Sequence, residues 1–374
     1  MDSAPTIDEI SVSAFRIPTS SPEADGTYWW DSTTIVIVQV RAGDTRGIGY
    51  GYADPSTALL IDQHLADVVK GKSAMAVTEA WVAMGWKVRN LGRPGVASMG
   101  ISAVDNALWD LKARLLGVSV AELLGPARAA IAAYGSGGFT TYSNDQLQEQ
   151  FRCWVQQDGI RAVKMKIGTD PHADLERVSA AREAIGDDAE LYVDANGAFR
   201  VKEALGFAWA FADLDVSWFE EPVSSDDLAG LRLMSEQGPP GMDIAAGEYG
   251  YDTPYFERML AAGAVDVLQA DATRCGGISG FLQVNALCEA HCRRLSAHTA
   301  PTLHAHACCA ATRAMNVEYF HDHARIEQMI FDGAIRAKNG ELRPDPGRPG
   351  FGIELKQADA EKYRVYGDGG VKKT

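Results

Sequence analysis

From residue 126 onward the chain keeps one rhythm: a short apolar run, an amphipathic stretch, then the next apolar run. The runs are Ile131–Tyr134, Ala162–Ile167, Leu191–Val193, Trp218–Phe219, Ile244–Ala246, Val265–Leu268, Leu295–Ala297 and Val317–Phe320. Helical patterns such as 173–184, 201–212 and 254–262 fill the gaps. Buried strands that alternate with helices pair in parallel. Eight of them, repeating every ~20–30 residues, point to a closed barrel of the TIM type rather than an open sheet. A doubly wound sheet would show the same alternation, but no glycine-rich phosphate fingerprint follows any of these strands.

The first third reads differently. Ile7–Phe15 and Thr34–Val40 are β-branched or alternating, and residues 44–51 carry a turn and glycines, which together predict an antiparallel meander. Pro18–Trp30 reads as a long loop ending in Tyr28, Trp29 and Trp30, whose rings either close over a pocket or simply pack. Residues 58–125 have helical spacing, including a helix over Gly100–Ala113 that stops near Gly117. The expected organisation is an α+β capping domain over 1–127, a barrel over 128–340, and a Pro- and Gly-rich segment over 341–374 that returns to the capping domain.

Net charge and hydropathy narrow the partners. A formal charge of −15 without a basic block excludes a nucleic-acid surface. No apolar run is long enough to span a bilayer, and Met1–Pro5 lacks the basic-then-apolar pattern of a secretory leader, so a cytoplasmic protein without membrane contact is expected. The six cysteines form no CxxC pair, and small reduced core residues explain them better than zinc ligands.

In barrels of this kind the chemistry sits at the C-terminal ends of the strands. Strands two to eight each end in a charged or titratable residue: Lys164 and Lys166; Asp194, with Asn196; Glu220 and Glu221; Glu248; Asp271; His298; Glu318. Asp194, Glu220 and Glu248 would converge in the mouth and repel one another without a cation. Hard oxygen ligands of this kind suit Mg²⁺, with Mn²⁺ as a substitute. Lys164 and Lys166, two residues apart, share one face of their strand. A neighbouring ammonium makes a lysine easier to deprotonate, the competing reading being an exposed edge strand. Asp271 and His298 lie on neighbouring strands, where a carboxylate can orient the imidazole and raise its basicity. His304 and His306 read as structural, and His321 and His323 as either.

With these residues assembled, the chain resembles the enolase superfamily, in particular its mandelate racemase-like group. The resemblance rests on the ordered set Ala107-Leu108-Trp109-Asp110, Lys164-Met165-Lys166, Asp194-Ala195-Asn196-Gly197, Glu220-Glu221-Pro222, Gly247-Glu248, Asp271 with Gly276-Gly277, and His298. It implies a modified (β/α)7β barrel under the α+β cap, and a Mg²⁺ held by Asp194, Glu220 and Glu248 that binds a substrate carboxylate. It further implies Lys166 as one base, tuned by Lys164, His298 with Asp271 as the other, and Glu318 as an acid bonded to the substrate carboxylate. Residues 264–280 contain no lysine, unlike the muconate-lactonizing-like group.

The shared step would be removal of the proton α to a carboxylate, with Lys164 and the metal lowering Lys166 toward about 7–8. The favoured outcome by analogy is dehydration of a sugar acid to a 2-keto-3-deoxy acid. Racemisation of a 2-hydroxy acid is the alternative, and a silent carboxylate-binding protein is the alternative of another class. Asn196, Tyr28, Trp29 and Trp30 are expected to meet the substrate. Glu23 and Asp25 would suit a polyol and the three aromatic rings an aryl acid, so the loop leaves pocket polarity open. A homo-oligomer acting on a small carboxylate is expected.

Overall fold

The computed structural model describes residues 5–367. Residues 1–4, which carry most of the leader reading, and 368–374, the end of the C-terminal segment, lie outside the described residues.

Strands β1 (Glu9–Ala24), β2 (Trp29–Ala42) and β3 (Thr45–Tyr52) form the antiparallel meander. The long loop expected over 18–30 is mostly strand instead. β1 and β2 extend until only 25–28 remain as the turn. Their pairing runs to Pro18↔Ser32, slips, and resumes at Glu23↔Trp30 and Ala24↔Trp29. Pro18 has no N–H to give a ladder, so an irregularity there is cheap. Beyond it the strand is held by the barrel: Thr141 Oγ1 donates to the Pro22 carbonyl (2.7 Å) and Thr140 N–H to that of Ala24 (2.9 Å). At the turn, Asp25 Oδ1 accepts from Thr27 N–H (2.6 Å) and Tyr28 N–H (2.7 Å), a side-chain-closed turn.

The helix Val96–Leu116 packs on β2 and β3 and ends at Gly117, whose φ of 71° suits a left-handed cap. Short helices at Pro55–Leu60, Val77–Lys87 and Val120–Leu124 complete this part.

Strands β4 (Ile131–Gly137), β5 (Ala162–Lys166), β6 (Glu190–Asp194), β7 (Val216–Glu220), β8 (Asp243–Ala246), β9 (Val267–Ala270), β10 (Arg294–Ala297) and β11 (Ala314–Phe320) pair in parallel, each with the next. β11 pairs back onto β4, which closes an eight-stranded barrel. One helix stands between each successive pair, from Asn144–Gln156 after β4 to Pro301–Ala310 before β11. The architecture is therefore the expected (β/α)7β barrel with an α+β cap. Past the barrel, β12 (Phe331–Asp332) pairs with β14 (Glu354–Leu355), β13 (Glu341–Leu342) adds to β4, and β15 (Arg364–Tyr366) joins the cap sheet beside β1.

Period-two alternation sorts the barrel side chains. Val163, Met165, Leu191, Val193 and Phe219 face the helices. Tyr134, Ala162, Tyr192, Trp218, Ala245 and Val267 form a separate core inside. Tyr192 stacks on Trp218 (centroids 5.0 Å) and meets Tyr134 edge-on (5.5 Å), so the bottom of the barrel is filled with rings. One level above this plug, the inward positions turn polar.

The cap is seated on the mouth by close backbone approach. Gly26, in the β1–β2 turn, lies so near the barrel that a Cβ there would stand 2.5 Å from the Ala195 carbonyl oxygen and 2.6 Å from that of Ile167. Thr169 Oγ1 donates to the Asp25 carbonyl (2.6 Å) at the same spot. On the other side of the cap, buried Asn106 donates to the Ala272 carbonyl (3.0 Å) and accepts from Ile278 N–H (3.0 Å).

Candidate active site

A cavity of about 380 Å³ lies between the cap sheet and the barrel mouth. Its floor is built from the strand-end residues. Asp194, Glu220 and Glu248 are buried, and one carboxylate oxygen from each lies within 4.8 Å of the others. The backbone around them is unusual. Asn196 (φ 47°), Glu221 (φ 37°), Thr299 (φ 54°) and Ala300 (φ 39°) are non-glycine residues in the left-handed region, each just past a strand end. Such conformations cost free energy and collect at sites whose geometry the surroundings enforce. Gly247 (φ 134°) sets Glu248, and no Cβ fits there, since it would stand 2.2 Å from the Gln269 carbonyl oxygen.

Both lysines point inward, as their spacing requires. Lys164 is fully buried; its Nζ lies 2.6 Å from Glu220, 2.9 Å from Glu318 and 3.5 Å from Asp194, and 5.3 Å over the Tyr134 ring. Lys166 Nζ donates to Asp194 (2.5 Å) and to Asn196 Oδ1 (3.1 Å). Burial acts most strongly and lowers the Lys166 ammonium, and Lys164 pushes the same way, but Asp194, Glu248 and Glu220 together outweigh them and the net shift is upward. So Lys164 acts in the expected sense, and the carboxylates overrule it. Lys164 is likewise raised: burial lowers it, and Glu220 and Glu318 more than reverse that.

Acids outnumber cations here. Asp194, Glu220, Glu221, Glu248, Asp271 and Glu318 are all buried against Lys164, Lys166 and Arg274. Burial and then Asp194 push Glu220 well up; burial and then Glu248 do the same to Glu221. Asp194 ends below its usual range, burial notwithstanding, because both lysines face it. A buried oxygen cluster in which ionisation is held back by crowding is the environment a divalent cation relieves. Asp194, Glu220 and Glu248 therefore fit such an ion.

On the far flank, with β4 and β11 between it and the lysine strand, His298 Nδ1–H donates to Asp271 Oδ2 (2.9 Å). Asp271 also accepts from Thr273 N–H (2.6 Å), and although burial raises it, the bond to His298 holds it well below the carboxylate range. His298 Nε2 is left 3.4 Å from Glu248 and 3.7 Å from Glu318. Glu318 accepts from Ser136 Oγ (2.6 Å) and Thr299 N–H (3.0 Å). Burial raises it, but Lys164 and then His298 bring it well below its usual range, so it is an acceptor.

The cap residues divide. Trp30 lines the cavity, with Nε1–H donating to Glu23 (2.8 Å), and Tyr28 stacks on it at 6.2 Å and also lines the wall. Trp29 is 53% exposed and is not part of the lining. Asp25 reaches the cavity, but Glu23 is buried behind Trp30, away from any substrate hydroxyl. His304 is satisfied within the fold, its Nδ1–H donating to the Thr299 carbonyl (2.7 Å) and its Nε2 accepting from Ala272 N–H (2.8 Å), and His306 accepts from Ala121 N–H (3.2 Å). His323 lines the cavity, stacked on Tyr52 (3.3 Å). Arg274 was not singled out from the sequence. It donates to the Glu248 carbonyl (3.0 Å) and pairs with Glu248 (3.5 Å) and Asp271 (3.6 Å), all at the mouth. Its position three residues past a strand-end aspartate was the available signal.

Residues 17–125 match the mandelate racemase / muconate lactonizing enzyme N-terminal domain, and 146–360 the enolase C-terminal domain-like family. Over 361 residues the chain is 32% identical to 3,6-anhydro-alpha-L-galactonate cycloisomerase of Streptomyces coelicolor, spanning 93% of this chain and 97% of that one. It is 29% identical to L-talarate/galactarate dehydratase of Salmonella typhimurium over 94% and 89% of the two chains. Among solved structures, a mandelate racemase/muconate lactonizing enzyme-like protein from Rubrobacter xylanophilus superposes with a TM-score of 0.94 at 51% identity, over 96% of this chain and all of that one. A racemase from Streptomyces coelicolor with bound magnesium gives 0.90 at 30% identity, with coverage of 96% and 100%.

Proposed function

The chain belongs to the mandelate racemase / muconate lactonizing enzyme family, and on that premise we propose that it is a Mg²⁺-dependent acid-sugar dehydratase. The observation that carries this reading is the placement of two candidate bases, Lys166 and the Asp271–His298 pair, on opposite flanks of three buried carboxylates under one polar cavity. A Mg²⁺ held by Asp194, Glu220 and Glu248 supplies positive charge against the substrate carboxylate and the charge that develops on it.

In this reading Lys166 removes the proton α to the carboxylate. To do so it must give up Asp194, whose 2.5 Å bond raises it. A metal held by Asp194, Glu220 and Glu248 would offset the carboxylate charge that raises Lys166, leaving the like charge of Lys164 to lower it. Asn196, 3.1 Å from Lys166, keeps the ammonium aimed at the cavity. His298, held in one orientation by Asp271, protonates the β-hydroxyl as it leaves. Glu318 donates to the substrate carboxylate only if it takes up a proton as that charge arrives, since a nearby like charge raises a carboxyl. Tyr28 and Trp30 form the aromatic part of the cavity wall on the cap side. Racemisation stays the second reading, because a second group on the opposite flank can equally return a proton to the same carbon. A cytoplasmic homo-oligomer is the setting this proposal assumes. Among the described residues no helix is long and apolar enough to cross a membrane.

The test is turnover of acid sugars with Mg²⁺, following 2-keto acid formation and solvent deuterium at the α-carbon. Lys166→Ala and His298→Asn should each abolish reaction of one substrate configuration. Wild-type turnover in both variants would refute the base assignment.

A further inference from the structure

Resting on the reading above, we propose that the substrate is a monocarboxylic sugar acid whose far end is a neutral, hydroxylated tail, and that the site rejects sugar diacids. Two relatives differ on this point by name, one being a 3,6-anhydro-alpha-L-galactonate cycloisomerase and the other an L-talarate/galactarate dehydratase. The lining of this cavity distinguishes the two classes.

The metal and base cluster forms one end of the cavity and takes one carboxylate. The rest of the wall comes from the cap and from the helix after β11. It presents Ser32, Thr33 and Thr34 from β2, Tyr52 from β3, and His323, which borders the His298 side of the cluster. The hydroxyls both donate and accept without charge. The His323 ring lies flat on Tyr52, at 3.3 Å and 8°, with its Nδ1 buried and unpartnered, an environment that favours the neutral imidazole; burial indeed holds it well below its ordinary value. Asp25 and Asp54 add carboxylates to the same rim.

Among the described residues that line the cavity, the lysines and arginines are Lys166 and Arg274. Lys166 belongs to the cluster. Arg274 is engaged by the Glu248 carbonyl, Glu248 and Asp271, and its guanidinium lies 5.5 Å from the Tyr249 ring centroid. A second substrate carboxylate would therefore meet hydroxyls and two like charges, with no arginine fork to receive it. An unpaired charge in such a place is strongly disfavoured, whereas a terminal hydroxymethyl group finds donors and acceptors.

Galactonate and galactarate differ at that terminal carbon alone and make a matched pair. Wild-type protein with Mg²⁺ in D2O is assayed on each, with gluconate and glucarate as a second pair, for α-deuteration and 2-keto acid. The monoacid of at least one pair should exceed its diacid in kcat/KM by roughly a hundredfold. Equal or better use of the diacids overturns the inference while leaving the base assignment standing. Reaction with neither class overturns the acid-sugar dehydratase reading and the inference with it. Asp25→Asn/Asp54→Asn keeps side-chain acceptors for the bonds to Thr27, Tyr28 and Ser56 N–H but removes both rim charges. It should shift the diacid-to-monoacid ratio toward the diacid by roughly threefold. A fixed ratio refutes the charge argument.

Discussion

Replacing Glu23 by glutamine should stabilise the protein in alkali. The Glu23 carboxyl is pushed from an ordinary 4.5 up to about 8, first by burial and then by Asp322, against the Trp30 bond and Arg325, which pull it down. Between those values the folded protein keeps a proton that the unfolded chain has released, so stability falls as pH rises. Below about pH 4.5 both states carry the proton and nothing is lost; above about pH 8 both are ionised and the loss is complete. The interval from 4.5 to about 8, at about 1.4 kcal/mol per pH unit, corresponds to about 5 kcal/mol. With an unfolding entropy of about 2.1 cal/mol/K per residue over 374 residues, that is about 6 °C in Tm. Glutamine still accepts from Trp30 Nε1, at 2.8 Å in the native pair, and has no proton to lose. Melting curves of the two proteins should nearly coincide at about pH 5 and separate by about 6 °C at about pH 9, with Glu23→Gln the higher. A gap that does not widen with pH would refute the burial argument.

Asp194→Asn should weaken Mg²⁺ binding by about tenfold or more, read by calorimetry, and unchanged affinity would dismantle the ligand set. Asp271→Asn removes the charge that holds His298 at 2.9 Å. A lost charge-assisted bond of about 1.5–3 kcal/mol corresponds to roughly 10- to 150-fold in the His298-dependent rate; full activity would mean that the imidazole needs no orienting partner. Gly26→Ala sets a methyl 2.5 Å from the Ala195 carbonyl oxygen. Overpacking by about 1–3 kcal/mol should lift the hairpin and lower kcat/KM by roughly 5- to 150-fold, and wild-type kinetics would show that the turn is not seated as described.

The barrel was legible because its information is local. Each buried strand announces itself by an apolar run, and Lys166, Asp194, Glu220 and Asp271 stand where the strands stop. The β1–β2 hairpin was not legible, because Pro18, Pro22 and Gly26 carry turn chemistry while the support that extends the strands comes from Thr140 and Thr141, more than a hundred residues away. The same distance hid Glu23, whose place behind Trp30 follows from strand pairing and not from its neighbours in sequence. Arg274 escaped because an arginine in a loop after a strand is ordinary until Glu248 and Asp271 are found around it.

The rings of Tyr134, Tyr192 and Trp218 make the barrel a well and not a tube. The cavity above that plug has a doorway on the cap side, lined there by Trp30 and Tyr28. In the dehydration reading, a water molecule expelled from a sugar acid leaves by the route the sugar entered, past Trp30 and Tyr28, or waits beneath the keto acid. Solvent hydrogen reaches Lys166 by that doorway too. The fraction of an isotopic label that survives a turnover therefore compares the speed of the chemistry with the speed at which the well empties.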